Sequence, residues 1–267
     1  MKLKQICIIV PIWKREWLTQ HLLSYYHSFE SVGIKYRILV LGSEGRRSKK
    51  TARGLEYLET DGRNTEHIII PDGNDTEHCP LDKKYDDGFA YSQRFDPDMV
   101  ALVGGDDFIT KNYFEYASER ISSGDDMVGI LDCYLSDIVS NKLWYWPGYE
   151  GERKGDSIGA GRIYSKKILQ EMKWKPFIEE SYQSYNYDDE RSENKVRNIS
   201  GNIHTINMSN IGCRYWNVKA NNSINKIEGF IWEDHVCTIP SENVTELPEH
   251  TRQLFYEDLG LPYEVFK

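Results

Sequence analysis

Four short apolar runs punctuate the first part of the chain: ICIIV at 6–10, YRILVL at 36–41, HIII at 67–70 and MVALV at 99–103. Each is continuous rather than alternating, the pattern of a strand covered on both faces, as in a mainly parallel sheet. Stretches with helical spacing lie between them. In EWLTQHLLSYYHSFESVG, Leu18, Leu22, Tyr25, Phe29 and Val32 recur at helical spacing, and Gly33 supplies a stop. Residues 48–59 and 87–95 supply two further crossover helices. Strand and helix in alternation specify an α/β layer fold.

The pattern then changes. MVGILDCYLSDIVSNKLWYWPG (127–148) reads as longer strands joined by a polar turn at Ser140 and Asn141, hence an antiparallel or mixed addition. A helix is expected over 165–172, followed by an acidic polar stretch at 179–198. Residues 199–230 are rich in Asn, Ser and Gly and read as ordered loop or short strands, and a last helix is expected near 249–259. No repeat, linker or low-complexity tract divides the chain. The expectation is one domain over 1–267, with a nucleotide-type front half (1–110) and an elaborated back half (111–267).

Composition narrows the partners. The net charge of −9 argues against attraction of the whole molecule to nucleic acid or an anionic membrane. Basic clusters at 45–50 (GRRSKK) and 166–175 (KKILQEMKWK) leave a local polyanion contact open, with a solvated face favoured. Aromatic content is 13%, and Trp144, Tyr145, Trp146 and Tyr149 fall close together; core packing is the favoured reading over stacking on a ligand. The apolar core of the N-terminal segment is too short for a secretory signal, and no segment approaches the roughly 20 apolar residues of a membrane span. The five cysteines form no CxxC pair. A cytoplasmic protein with reduced thiols is expected.

The common phosphate-cradling motifs are missing. PIWKRE follows the first strand where a dinucleotide enzyme has GxGxxG, and neither GxxxxGK[ST] nor GxSxG occurs. What remains is a set of polar residues at strand ends: Trp13 and Arg15, Ser43 and Glu44, Asp72, and Asp106 with Asp107. In an open parallel sheet, ligands sit beyond the carboxyl ends of the strands. The adjacent carboxylates in GGDD (104–107) repel each other unless solvated or bound to a cation. Either Asp107 caps the next helix in a polar loop, or the pair belongs to a metal site.

Together, ICIIVPIWKRE, ILVLGSEG, PLDKKYDDGFAYSQRFDPDMVALVGGDDF and GAGRIYSKKIL resemble a GT-A-fold glycosyltransferase of the family 2 kind, over roughly the first 190 residues. The resemblance implies a nucleotide-diphosphate sugar donor, UDP-sugar first, and a divalent cation, Mn²⁺ or Mg²⁺. It places Pro11, Trp13 and Arg15 in the loop that meets the donor nucleoside. Glu44 and Asp72 fall where acids read the ribose or base, with solvated turn acids as the alternative. Lys84 and Gly88 match a Lys-x-x-x-Gly segment before the fourth strand, where Asp86 stands in place of the usual Asn. Aligned on the family's D-x-D, Gly104 takes the first acidic position and Asp106 the second, the metal position, with Asp107 beside it. An acidic pair in the back half supplies a base for an inverting reaction, and Asp189, then Asp188, match it; an acid-decorated helix start is the alternative. Lys219 is expected in a polar loop over the diphosphate. Enzymes of this fold often recruit a late His as a further metal ligand, but for His204 and His235 a structural or exposed role is favoured, and neither is assigned to the site. The acceptor stays open among glycan, lipid-linked sugar, protein and modified nucleic-acid base. Two other functions stay open as well: a degenerate nucleotide-sugar-binding protein, and a nucleotidyltransferase, for which PIWKRE lacks the glycines that hold a triphosphate.

Overall fold

The uninterrupted apolar runs become the centre of a seven-stranded sheet. A computed structural model describes residues 3–12, 16–42, 65–69, 81–177, 189–219 and 244–260; the helix expected at 48–59 lies outside them. Strands β1 (Lys4–Ile12), β2 (Ile34–Gly42), β3 (Thr65–Ile69) and β4 (Met99–Leu102) are parallel, with β1 between β4 and β2. Alternate residues of β1, β2 and β4 feed two cores. Ile6, Ile8 and Val10 join Leu18, Leu22, Leu23 and Tyr26 of α1 (Glu16–His27). Cys7, Ile9, Leu39 and Leu41 join Tyr85 and Phe89 of α2 (Leu81–Ser92) on the other face. Double-sided burial explains why no alternation shows in the sequence. Each such Ile, Leu or Val contributes about 1.5–3 kcal/mol over an exposed side chain.

The back half does not form a layer of its own. β9 (Ile163–Ser165) inserts antiparallel between β4 and β6 (Met127–Ile130), and β10 (Ile203–Ile206) pairs parallel with β6. Strands from both sides of residue 110 therefore share this sheet. The stretch at 127–148 is split between sheets: β6 stays in the large sheet, while β7 (Cys133–Asp137) and β8 (Lys142–Trp146) form a hairpin in a second one. That five-stranded sheet runs β12-β8-β7-β11-β5, with β5 (Asp107–Ile109), β11 (Tyr215–Lys219) and β12 (Thr245–Glu246). Trp144, Trp146 and Tyr149 are buried core residues, as favoured, whereas Tyr145 is half-buried and donates to Asp132 Oδ2 at 2.9 Å.

Helices α3 (Lys111–Ser122), α4 (Lys166–Glu171), α5 (Asp189–Ile199) and α6 (Thr251–Leu259) complete the described elements. Phe255 of α6 meets Trp216 edge to face, and Asp258 accepts from the indole N–H of Trp216 at 2.7 Å. Residues 199–230, expected to be loop or short strands, contain β10, a 3₁₀ turn at Met208–Ile211 and β11. No helix among the described residues is long and apolar enough to cross a membrane.

Gly88 shows how closely α2 lies on the sheet. A Cβ there would stand 2.6 Å from Leu41 Cδ1 and 3.3 Å from Ile9 Cγ2, both fully buried. Gly88→Val is therefore expected to destabilise the fold by about 1–3 kcal/mol through overpacking, despite removing a helical glycine. Chemical denaturation measures this; an unchanged midpoint would mean that the helix is free to move outward.

Candidate active site

The turn between β4 and β5 leaves the carboxyl edge of the large sheet and enters the small one. Main-chain bonds fix both ends of it. Val103 N–H donates to Ile9 C=O at 3.1 Å, Gly161 N–H to Leu102 C=O at 2.6 Å, and Val218 N–H to Asp106 C=O at 2.8 Å. From below, the Tyr26 hydroxyl donates to the Asp107 carbonyl at 2.6 Å. Asp107 is thus a strand residue paired with Asn217, and the next helix is N-capped by Thr110. The helix-cap reading of Asp107 is corrected by this pairing.

The Asp107 side chain is 2% exposed. Its Oδ1 accepts from the Tyr215 hydroxyl at 2.7 Å and from Asn217 Nδ2 at 2.6 Å, and its Oδ2 accepts from Gly104 N–H at 2.5 Å. Burial, and next the neighbouring Asp106 charge, push its pKa up to about 6, against the pull of Tyr215, Asn217 and Lys219. Two carboxylates are held together here by the fold against their mutual repulsion.

Gly104 explains how they fit. A Cβ on Gly104 would lie 2.3 Å from Asp107 Oδ2 and 3.2 Å from Asp106 Oδ1. Both acids therefore converge on the space that a side chain at 104 would fill. In the resembling family an aspartate occupies that position; here the carboxylate of Asp107 enters the space instead. Asn217 Oδ1 lies on the same face, is buried and has no hydrogen-bond partner among the described residues. Two carboxylate oxygens with a neutral oxygen nearby suit a hard divalent cation, which commonly takes one or two protein carboxylates and completes its shell with water and phosphate oxygens. Among the described residues no group of three or more His, Cys, Asp and Glu side chains forms a metal cluster.

Lys219 is not on a polar loop. It ends β11, is 4% exposed, and its Nζ lies 3.7 Å from Asp106 Oδ2. The reason is strand alternation: Tyr215, Asn217 and Lys219 share the face of Asp107, while Trp216 and Val218 turn into the core. Pro11 is buried near the end of β1, opposite Leu41. Lys84 is buried on α2 and donates to the Ile12 carbonyl at 3.0 Å, at the same edge of the sheet. Asp86 accepts from Phe177 N–H at 2.9 Å, a packing role within the core. His204 bonds the Tyr116 hydroxyl at 2.7 Å on edge strand β10. Trp13, Arg15, Glu44, Asp72, Asp188 and His235 lie outside the described residues.

Asp189 begins α5. The far end of this helix leads to Asn202, whose carbonyl accepts from Asp126 and Met127 at the start of β6. Its first turn meets the loop at Ser157, which lies against Gly129 near the end of β6. The helix therefore runs antiparallel to β6, and its N-terminus points to the carboxyl edge where Asp106 and Asp107 lie. A cavity of ≈ 370 Å³, lined by Tyr26, Phe29, Ser31 and Tyr36 among others, sits instead by the start of β2, at the opposite edge. Tyr215 and Asn217 were not legible as site residues; the alternation in YWNVK is the signal that could have exposed them.

No known family profile and no curated protein matches the sequence. Solved structures do match the fold. TarS 1–349 of S. aureus superposes with a TM-score of 0.56 at 15% identity, covering 82% of this chain and 60% of that one, and has also been solved with UDP. The mannosyltransferase PcManGT of Pyrobaculum calidifontis, in complex with GDP-Man and Mn²⁺, gives 0.50 at 10% identity over 85% of this chain and 59% of that one. The 4-diphosphocytidyl-2C-methyl-D-erythritol synthase of Anaerococcus prevotii gives 0.51 at 11% identity over 76% and 87%. The chain thus spans about 60% of the length of the TarS fragment. Its fold is GT-A-like: a mixed α/β sheet flanked by helices, shared with these structures.

The raised pKa of Asp107 has a signed consequence. The folded state holds this proton more tightly than the unfolded chain, so stability is fully present below about pH 4 and is lost as pH rises through about 6. In metal-free buffer, the stability of the wild type is expected to fall relative to Asp107→Asn across that window, by on the order of 1–3 kcal/mol. A difference that stays flat with pH, read by thermal unfolding, would contradict the arrangement.

Proposed function

We propose that the protein transfers a sugar from a nucleotide-diphosphate donor to an acceptor hydroxyl, with inversion, using Mn²⁺ or Mg²⁺. The observation that carries this reading is the convergence of Asp106 Oδ1 and Asp107 Oδ2 above Gly104, at the carboxyl edge of a GT-A-like sheet. UDP-sugars are the first donors to test, since one fold neighbour has been solved with UDP; GDP-sugars follow from the other.

Asp106 and Asp107 would hold the cation, with Asn217 Oδ1 as a neutral donor beside them. When bound, the cation neutralises charge that builds on the departing diphosphate. The protein supplies the rest. The ammonium group of Lys219, on the same face, adds positive charge at the site of the diphosphate. Lys84 fixes the end of β1, where Pro11 lies; Trp13 and Arg15, which follow in sequence, complete the proposed nucleoside contacts. Asp189, the first residue of α5, with Asp188 before it in sequence, serves as base. In the reaction the bond from the anomeric carbon to the diphosphate oxygen breaks, and the diphosphate leaves with the electron pair. The acceptor oxygen bonds to the opposite face of that carbon, and its proton passes to Asp189.

Release of nucleoside diphosphate from a panel of nucleotide-sugars, with and without EDTA, tests this reading. One donor should turn over with Mn²⁺ or Mg²⁺ and stop with chelator. Asp106→Ala should lower kcat/KM by at least about 100-fold, near 3 kcal/mol of transition-state stabilisation. Gly104→Ala should weaken Mn²⁺ binding by pushing Asp107 Oδ2 aside. Full turnover of Asp106→Ala would remove the metal argument, and binding of nucleotides without turnover of any donor would favour a degenerate binding protein.

A further inference from the structure

Directly behind the carboxylate turn lies a buried polar network that the proposed reaction does not use. Arg162 is 0% exposed, and its main chain is paired with the end of β4, where Leu102 N–H donates to the Arg162 carbonyl at 2.9 Å. Its guanidinium reaches away from the turn. Nε donates to Ser157 Oγ at 2.8 Å, Nη2 to the Ser157 carbonyl at 2.7 Å and to Glu193 Oε2 at 3.3 Å, and Nη1 to Ser192 Oγ at 2.7 Å. Glu193 Oε2 also accepts from Ser157 N–H at 2.9 Å and from the Ser157 hydroxyl at 2.6 Å. The Tyr164 hydroxyl bonds Ser192 Oγ at 2.9 Å. Gly129 makes room for this: a Cβ there would lie 2.4 Å from Ser157 Cβ.

Ser192 and Glu193 belong to the first turn and a half of α5, three and four residues beyond Asp189. A buried ion pair contributes little net stability compared with apolar residues of the same size, because desolvation offsets the attraction. What a fully bonded guanidinium does supply is direction: its donors lie in one plane and match fixed acceptors. We infer that Arg162, Glu193 and Ser192 are positioning residues. They tie the first turn of α5 to the strand that delivers Asp106 and Asp107, and so set where the helix holds Asp189 relative to the donor. The inference rests on the proposed role of Asp189 as base.

The consequence is separable from stability. Displacing the base slows transfer but leaves the donor pocket intact. Turnover is read as nucleoside diphosphate released from the UDP- or GDP-sugar that the wild type uses, and binding as calorimetric titration of UDP or GDP with MnCl₂. Ser192→Ala and Glu193→Gln are expected to lower kcat by at least about 10-fold, while donor KM and nucleotide affinity change by less than about 3-fold. In an Asp189→Asn background the same substitutions should slow turnover by no more than about 2-fold further, because a residue that acts through the base has nothing left to act on. Should Glu193→Gln not fold, Ser192→Ala, which keeps the ion pair, carries the test. Equal losses in both backgrounds, or unchanged kcat in the folded single variants, would overturn the positioning role. Full turnover of Asp189→Asn alone would instead refute the base, and the positioning role with it. A wild type that turns over no nucleotide-sugar would remove the reaction itself.

Discussion

Two like charges held side by side are the constraint around which this site is organised. Left to themselves, Asp106 and Asp107 would separate or take up a proton. They are kept together because β5 is pinned antiparallel to β11, with Asp107 opposite Asn217 and Phe108 opposite Trp216. Trp216 is fully buried and anchored by Asp258, so β11 has little freedom to yield. The Tyr215 hydroxyl, the Asn217 amide and the Gly104 N–H then donate to the inner carboxylate. Packing energy from the two cores holds the acids in place, and the cation of the proposed reaction would turn the remaining repulsion into attraction.

The second consequence is topological. β9 runs antiparallel between β4 and β6, so it starts at the carboxyl edge beside the carboxylate turn and ends opposite Met99 at the other edge. Arg162 immediately precedes this reversed strand, and its main chain and side chain face different partners. The front half supplies the carboxylate turn, and the back half supplies the helix aimed at it. Both share one sheet, so the turn and the helix are joined through continuous strand pairing.

Much of the fold was legible because double-sided burial leaves a strong mark. ICIIV, YRILVL and MVALV became strands with ends within about two residues of the expected positions, the usual fraying uncertainty, and the helix expected at 165–172 is found at Lys166–Glu171. The acids of GGDD stood out for the same reason: charge directly after a buried strand. What escaped was whatever depends on pairing distant in sequence. Asp107 and Asn217 are 110 positions apart, so neither their pairing nor the burial of Lys219 follows from local composition. Asn- and Ser-rich surroundings left loop and short strand both open for β11. Arg162 and Glu193 were invisible likewise, since a lone charged residue in a chain is ordinarily solvated, and only the tertiary fold brings their partners together.

The most direct measurement is an anomalous difference map from crystals grown with MnCl₂ and UDP. The account predicts a peak above Gly104, about 2 Å from one oxygen each of Asp106 and Asp107, with the diphosphate on its open side and Lys219 facing it. A manganese peak bound elsewhere, with Asp106 and Asp107 left facing only protein donors, would contradict it.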